Sequence, residues 1–257
     1  MQMTMYPTKP ENEKKTKIKA NISLDTKDFT LTGFKLYEND QKELKLMIPS
    51  EIVKDANGEP KKNENEQIIN KHPVSINDRL TNRQKIFNDL QTEIVNMYNE
   101  VKANPKVLEG QNFVQKEVNM PEVEQGELNV KKVFLANPQK NTNPDYQLKA
   151  NATLLTGAFQ INNVPLIYDV KKNDYSIILP KQEYKNESGE TVSRGYAVPK
   201  NAEVFAKVKN MIVNTVESKI KENRQEYLKQ KQAENLAQAQ KQGVAQTTQK
   251  PTAPVMK

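Results

Sequence analysis

The chain has 257 residues, 35% hydrophobic and 28% charged, which suits two small domains with linkers rather than one large core. It contains no cysteine, which excludes disulfides, thiolate nucleophiles and Cys-based zinc sites. No apolar run is long enough to span a bilayer, and none opens the chain as a signal peptide would, so a cytoplasmic protein with no membrane contact is expected.

Residues 1–15 read as a polar N-terminal segment. From residue 16 the chain alternates: Ile18, Ala20, Ile22 and Leu24 interleave with Lys17, Lys19, Asn21 and Ser23, the period of a strand with one buried face. Residues 29–37 and 44–48 read as two further strands, the last closed by Pro49, since a proline cannot donate to a ladder. Residues 50–67, with Gly58, read as an exposed hairpin loop, and residues 67–69 as a short extended piece. Past Pro73 and a candidate N-cap at Asn77, Leu80, Phe87, Leu90, Ile94, Met97, Tyr98 and Val101 recur at helical steps. Residues 103–127, with two prolines and two glycines, read as an acidic linker.

The pattern then returns. Lys149-Ala150-Asn151 repeats Lys19-Ala20-Asn21 at a distance of 130 positions. In the same register Leu24 meets Leu154, Phe29 meets Phe159, Leu31 meets Ile161 and Leu36 meets Leu166. After a one-residue slip, residues 44–49 match 175–180, and Pro73 is aligned with Pro199. So long a period means two copies of a domain, 16–102 and 128–220, rather than a solenoid. Residues 128–135 read as an opening strand of the second copy; its counterpart would have to come from residues 1–8, where the pattern is weak. The second helix, capped by Asn201, carries Val204, Phe205, Val208, Met211, Ile212, Val216 and Ile220. Residues 221–257 read as a helical extension ending, after Gly243, in a disordered Gln-rich tail. The expected fold class is therefore α+β: two tandem domains, each a small antiparallel β-sheet with a C-terminal α-helix.

The charge follows the same division. Residues 16–102 are neutral and 103–127 carry net −3, whereas 128–220 carry +5 and 221–257 carry +4 of a total of +7. A basic half can attract a polyanion, because each neutralised phosphate releases condensed counterions; a modest lysine excess also simply aids solubility. The catalytic inventory is poor. His72 is the only histidine, and a turn or surface role suits it better than chemistry. There is no glycine-rich phosphate loop, no Ser–His–Asp order and no metal-ligand spacing, so no catalytic residue, metal or cofactor is expected. The candidate nucleic-acid contacts are Lys171 and Lys172 in a strand turn, Lys181, Lys185 and Arg194 on the second hairpin, and Lys200 and Lys207 at the second helix. Arg83 and Lys85 stand at the start of the first helix. Tyr184 and Tyr196 offer rings for unpaired bases, although Tyr196 alternates with Val198 as a core residue would, and hairpin lysines also serve as solvent spacers.

Several segments of the first copy resemble the SpoVG family of small bacterial regulators of sporulation and septation. They are Phe29-Thr30-Leu31-Thr32-Gly33-Phe34-Lys35-Leu36, Leu46-Met47-Ile48-Pro49-Ser50, a glycine hairpin, and His72-Pro73-Val74 ahead of Arg83-Gln84-Lys85-Ile86. The resemblance covers most of residues 16–102 and reaches 128–220 mainly through the internal repeat. It implies a small antiparallel sheet with a C-terminal helix, pairing through β-structure, and DNA or RNA binding without enzymatic activity. Two fused copies imply an internal pseudo-dimer. The family places a basic pair after its Met-Pro-Ser segment; here the first copy has Glu51-Ile52 and the second Lys181-Gln182. The second copy and the tail are thus expected to contact nucleic acid. The partners expected are DNA or RNA, a further copy of the chain through β-strand pairing, and a protein at the C-terminal helix. A protein-interaction scaffold using sheet edges and that helix is the alternative.

Overall fold

The computed structural model describes residues 1–13, 15–140, 143–185 and 188–246. One compact unit takes in Met1–Val213 and a second Asn214–Lys257. The chain opens with β1 (Gln2–Pro7), the one-turn α1 (Pro10–Glu13), β2 (Ile18–Asp25), β3 (Phe29–Glu38) and β4 (Leu44–Met47). A hairpin arm of β5 (Glu51–Ile52) and β6 (Asn70–Lys71) leads to β7 (Val74–Ile76) and helix α2 (Arg83–Ala103). Next come β8 (Val114–Glu117), the one-turn α3 (Pro121–Glu124), β9 (Asn129–Leu135), β10 (Tyr146–Thr156), β11 (Phe159–Asp169) and β12 (Asp174–Ile177). A second arm, β13 (Lys181–Lys185) and β14 (Thr191–Gly195), precedes β15 (Ala197–Pro199) and helix α4 (Ala202–Gln246). The class is α+β with antiparallel sheets and a C-terminal helix. No helix among the described residues is long and apolar enough to cross a membrane. The expected disordered tail lies, from residue 247 onward, outside the described residues; Gly243 itself is helical.

The alternation read from the sequence sets the buried faces. Ala20, Ile22 and Leu24 of β2 point into the core with Phe29, Leu31, Phe34 and Leu36 of β3, and Ala150, Ala152 and Leu154 do so with Phe159, Ile161, Val164 and Leu166. Both β-bulges recur at the 130-residue spacing: the register shifts between Ile18 and Ala20 and between Ile22 and Leu24, and again between Leu148 and Ala150 and between Ala152 and Leu154. A bulge inserts one residue and leaves it in an unusual conformation. Gly33 (φ 87°) and Asn163 (φ 55°) hold the corresponding left-handed position in the two sheets. The one-residue slip is also present, since Leu36 pairs with Leu46 while Leu166 pairs with Ile177.

The short strands β7 and β15 do not join the sheets their sequence positions suggest. β7 pairs with β11, placing Val74 opposite Ile161; β15 pairs with β3, placing Ala197 opposite Leu31. Each half therefore gives a strand to the sheet of the other. The first sheet runs β15-β3-β2-β1-β8 with β4 also on β3; the second runs β12-β11-β10-β9 with β7 also on β11. This pairing corrects the alignment of Pro73 with Pro199. Val74 corresponds to Ala197, so Tyr196 takes the place of Pro73, and their carbonyls accept at the same bulge, from Thr32 N–H and Asn162 N–H respectively. Phe34 and Phe159 meet edge to face at 5.9 Å, joining the two halves within one core.

Two segments expected outside the folded halves belong to the first sheet. Residues 1–15 supply β1, whose Met3 and Met5 are fully buried, and the expected linker 103–127 supplies β8, which pairs with β1. Methionines at period two were the main local signal for β1, which lies between the next strand, β2, and the distant β8. The linker also buries Val118, Met120 and Val123. At Gly157 (φ 55°) an added Cβ would sit 2.1 Å from the Val123 carbonyl, so only glycine lets this segment close against the β10–β11 turn. α2 starts at Arg83 rather than near Asn77. The buried Asn77 side chain instead accepts from Arg79 N–H in a preceding turn, whereas Asn201 caps α4 by accepting from Val204 N–H at 2.9 Å.

Candidate nucleic-acid interface

The nine cations singled out from the sequence fall in separate places. Lys171 and Lys172 cap the β11–β12 turn, their N–H groups donating to the buried Asp169 carboxylate, with side chains 74% and 79% exposed. Lys209 of α4 reaches Asp174 at the start of β12 (3.1 Å), and this hydrogen bond holds the Asp174 carboxyl below its ordinary range. That contact sets the first turns of α4, with exposed Lys207, beside the lysine turn. Lys181 and Lys185 lie on β13, where every side chain is exposed, together with Tyr184.

The other four serve different surroundings. Arg194 folds back on the first sheet: its guanidinium donates to Ser23 Oγ at 3.4 Å and lies 5.9 Å from the Tyr6 ring. Lys200 bridges the halves, bonding Asp25 at 2.5 Å while its N–H donates to the Asp28 carbonyl. Lys85 is engaged by Asp89 and Glu122, which raise its pKa, in a cleft of about 360 Å³ also lined by Glu93. Arg83 is exposed two residues earlier. Glu122 adjoins Val123, whose carbonyl accepts from Ala158, so Arg83 and Lys85 stand near the Phe159 end of β11. Lys171 and Lys172 stand at its Asp169 end, ten residues away, or roughly 33 Å along a strand. The structure thus divides them into a lysine turn with α4, a hairpin, two ion-paired lysines (Lys85 and Lys200), Arg194 on the first sheet and the exposed Arg83.

Tyr196 is a core residue, 3% exposed, packed on Gly33. Burial, reinforced by the neighbouring Glu51 carboxylate, pushes its phenol up to about 12. It cannot stack on a base. His72 Nδ1 donates to the Pro49 carbonyl at 3.0 Å and fastens the arm to the strand end.

The Lys200–Asp25 pair carries a testable pH dependence. Burial opposes ionisation of Asp25, but hydrogen bonds from Lys200 and Thr30 outweigh it and hold the carboxyl below 3.8. A depressed carboxylate stabilises the fold above its unfolded pKa, and that contribution is lost as pH falls through the folded one. Lys200→Met should lower stability at neutral pH by about 1 kcal/mol or less, screened as partly exposed pairs are, with the difference from the parent closing in acid. Denaturant unfolding at pH 7 and at pH below the carboxylate range checks this.

One constellation was missed. On the outer face of the second sheet, Phe134 is 61% exposed with Lys132 Nζ 5.2 Å from its ring centroid. Asn151 stands directly across from Phe134, and Thr153 across from Lys132. Gln160 and Asn162 of β11 and His72 complete a concavity of about 320 Å³ that no carboxylate lines. The signal was available: a residue following the buried Val133 in a strand must point the opposite way.

No protein-family model, no curated protein and no solved structure matches this chain.

Proposed function

We propose that the chain is a non-enzymatic, cytoplasmic nucleic-acid-binding regulatory protein in which two SpoVG-like halves form an internal pseudo-dimer. The reciprocal exchange of β7 and β15 supports the pseudo-dimer, because it is the arrangement that two strand-swapped copies joined in one chain would make. The observation that carries the nucleic-acid reading is the set of exposed lysines on the second half. There Lys171 and Lys172 project into solvent from the β11–β12 turn, and Lys181 and Lys185 from the hairpin that follows the other end of β12. Asp145 and Glu183 form exposed ion pairs with Lys171 and Lys181, each worth only about 0–1 kcal/mol, so a phosphate can displace them.

Replacing these four lysines together by alanine should weaken DNA or RNA binding and reduce the slope of log affinity against log salt by about 3, at roughly 0.7–0.9 per phosphate contact. Fluorescence anisotropy across a salt series measures both quantities. Unchanged affinity and slope would remove this site. Arg194 is kept out of the set because it anchors the arm on the first sheet.

A protein-interaction scaffold is the second reading, favoured by the exposed Ile220, Tyr227, Leu228 and Leu236 on the distal part of α4. The outer edge of β9 takes no strand partner among the described residues, and it offers a place for strand addition by a partner or by another copy of the chain.

A further inference from the structure

The two sheets carry an aromatic ring at the same place on their outer faces, and only one of them is covered. Tyr6 pairs with Asn21 and Phe134 with Asn151, and these two asparagines are 130 positions apart in the repeat. On the first sheet, the Tyr6 ring lies under the Arg194 guanidinium and against the Phe113 ring, each at 5.9 Å. On the second sheet the residue matching Arg194 in the strand-exchange register is Lys71, which turns instead to Glu51 at 2.8 Å. Phe134 is left with Lys132 beside it and an open concavity alongside. The first sheet thus fills with its own side chains a position that, on the second, stands ready for a planar group.

We propose that the outer face of the second sheet binds an unpaired base of single-stranded nucleic acid. The ring of Phe134 supplies the stacking surface and Lys132 meets the adjoining phosphate. The Asn151 amide, across the strand from the ring, provides a donor and an acceptor for the base edge. Three observations select this occupant. The face joins an exposed aromatic to a cation, as base stacking with a phosphate contact requires. The concavity holds no carboxylate; the nearby Asp78 is already bound by Lys131. And the protein's own guanidinium and ring at Tyr6 mimic what such a face accepts. This rests on the nucleic-acid reading above and adds strand type and mode of contact.

The protein has no tryptophan, so Phe134→Trp places a single reporter at the proposed contact. Its fluorescence should be quenched to saturation by an unstructured strand of about 12 nucleotides, a typical single-strand site length. Phe134→Ala should weaken single-strand affinity by about five- to a hundred-fold, with duplex affinity unchanged and Phe134→Tyr close to the parent. Because Phe134 is exposed, the alanine variant should unfold like the parent, which circular dichroism checks. If the parent binds nucleic acid but Phe134→Ala binds single strands equally well, the platform is wrong and the broader reading stands. Binding confined to duplex overturns the platform too. If the parent binds neither strand type even at low salt, both fall.

Discussion

Gly33→Ala is expected to destabilise the Met1–Val213 unit by about 2–5 kcal/mol, seen as a lower denaturation midpoint with little change in slope. Two costs combine. Gly33 has φ 87°, where a side chain costs roughly 1–2 kcal/mol. Its Cβ would also lie 2.7 Å from Tyr196 Cδ1 and Cε1, and forcing extra volume into a packed site typically costs about 1–3 kcal/mol. The Tyr196 ring is buried and held near Glu51, so it cannot simply swing away. The second sheet provides the control. Asn163 occupies the corresponding bulge position, and there the residue in the place of Tyr196 is the smaller Pro73. Asn163→Gly should change stability by no more than about 1 kcal/mol, since asparagine tolerates this conformation and no ring bears on it. Equal effects at both positions would show that the Tyr196 contact is unimportant.

Phe159→Ala should cost about 3–5 kcal/mol, the usual range for emptying a buried phenylalanine site. Phe159 is fully buried, pairs with Ile76 of the exchanged strand β7 and meets Phe34 of the first sheet. Because its neighbours come from both halves, the loss should lower one transition for the whole unit rather than melt the second half alone. Probes in each half, such as Tyr37 and Tyr168 by NMR, should report the same midpoint. Two separate midpoints, with only the second displaced, would show independent lobes and undo the strand-exchange account.

Much of the candidate site was legible residue by residue, because turns and hairpins announce themselves through short-range signals. Lys171 and Lys172 follow an Asp whose carboxylate accepts their N–H groups, and Lys181 follows a strand-closing proline. What those residues face was not legible. Lys200 and Arg194 look like equals of the hairpin lysines in sequence, yet each is held by a group more than 170 positions away, Asp25 and Ser23. Lys85 sits at a helix start, where a phosphate contact was expected, but Glu122 from the linker neutralises it.

The amino-acid order determined, on its own, the side of each long strand that meets the core, the 130-residue repeat with its one-residue slip, and the amphipathic helices. These depend on periodicities of two and 3.6 residues, which a segment carries wherever it is placed. Tertiary structure alone decided that β7 and β15 change sheets, that the linker adds β8 to the first sheet, and that Tyr6 is covered while Phe134 is open. A strand of three residues has too few side chains to specify its neighbour. Its place is fixed by the ladder edge left vacant at β3 or β11 and by the fit of the residue beside the bulge, both of which exist only once the rest of the chain has folded.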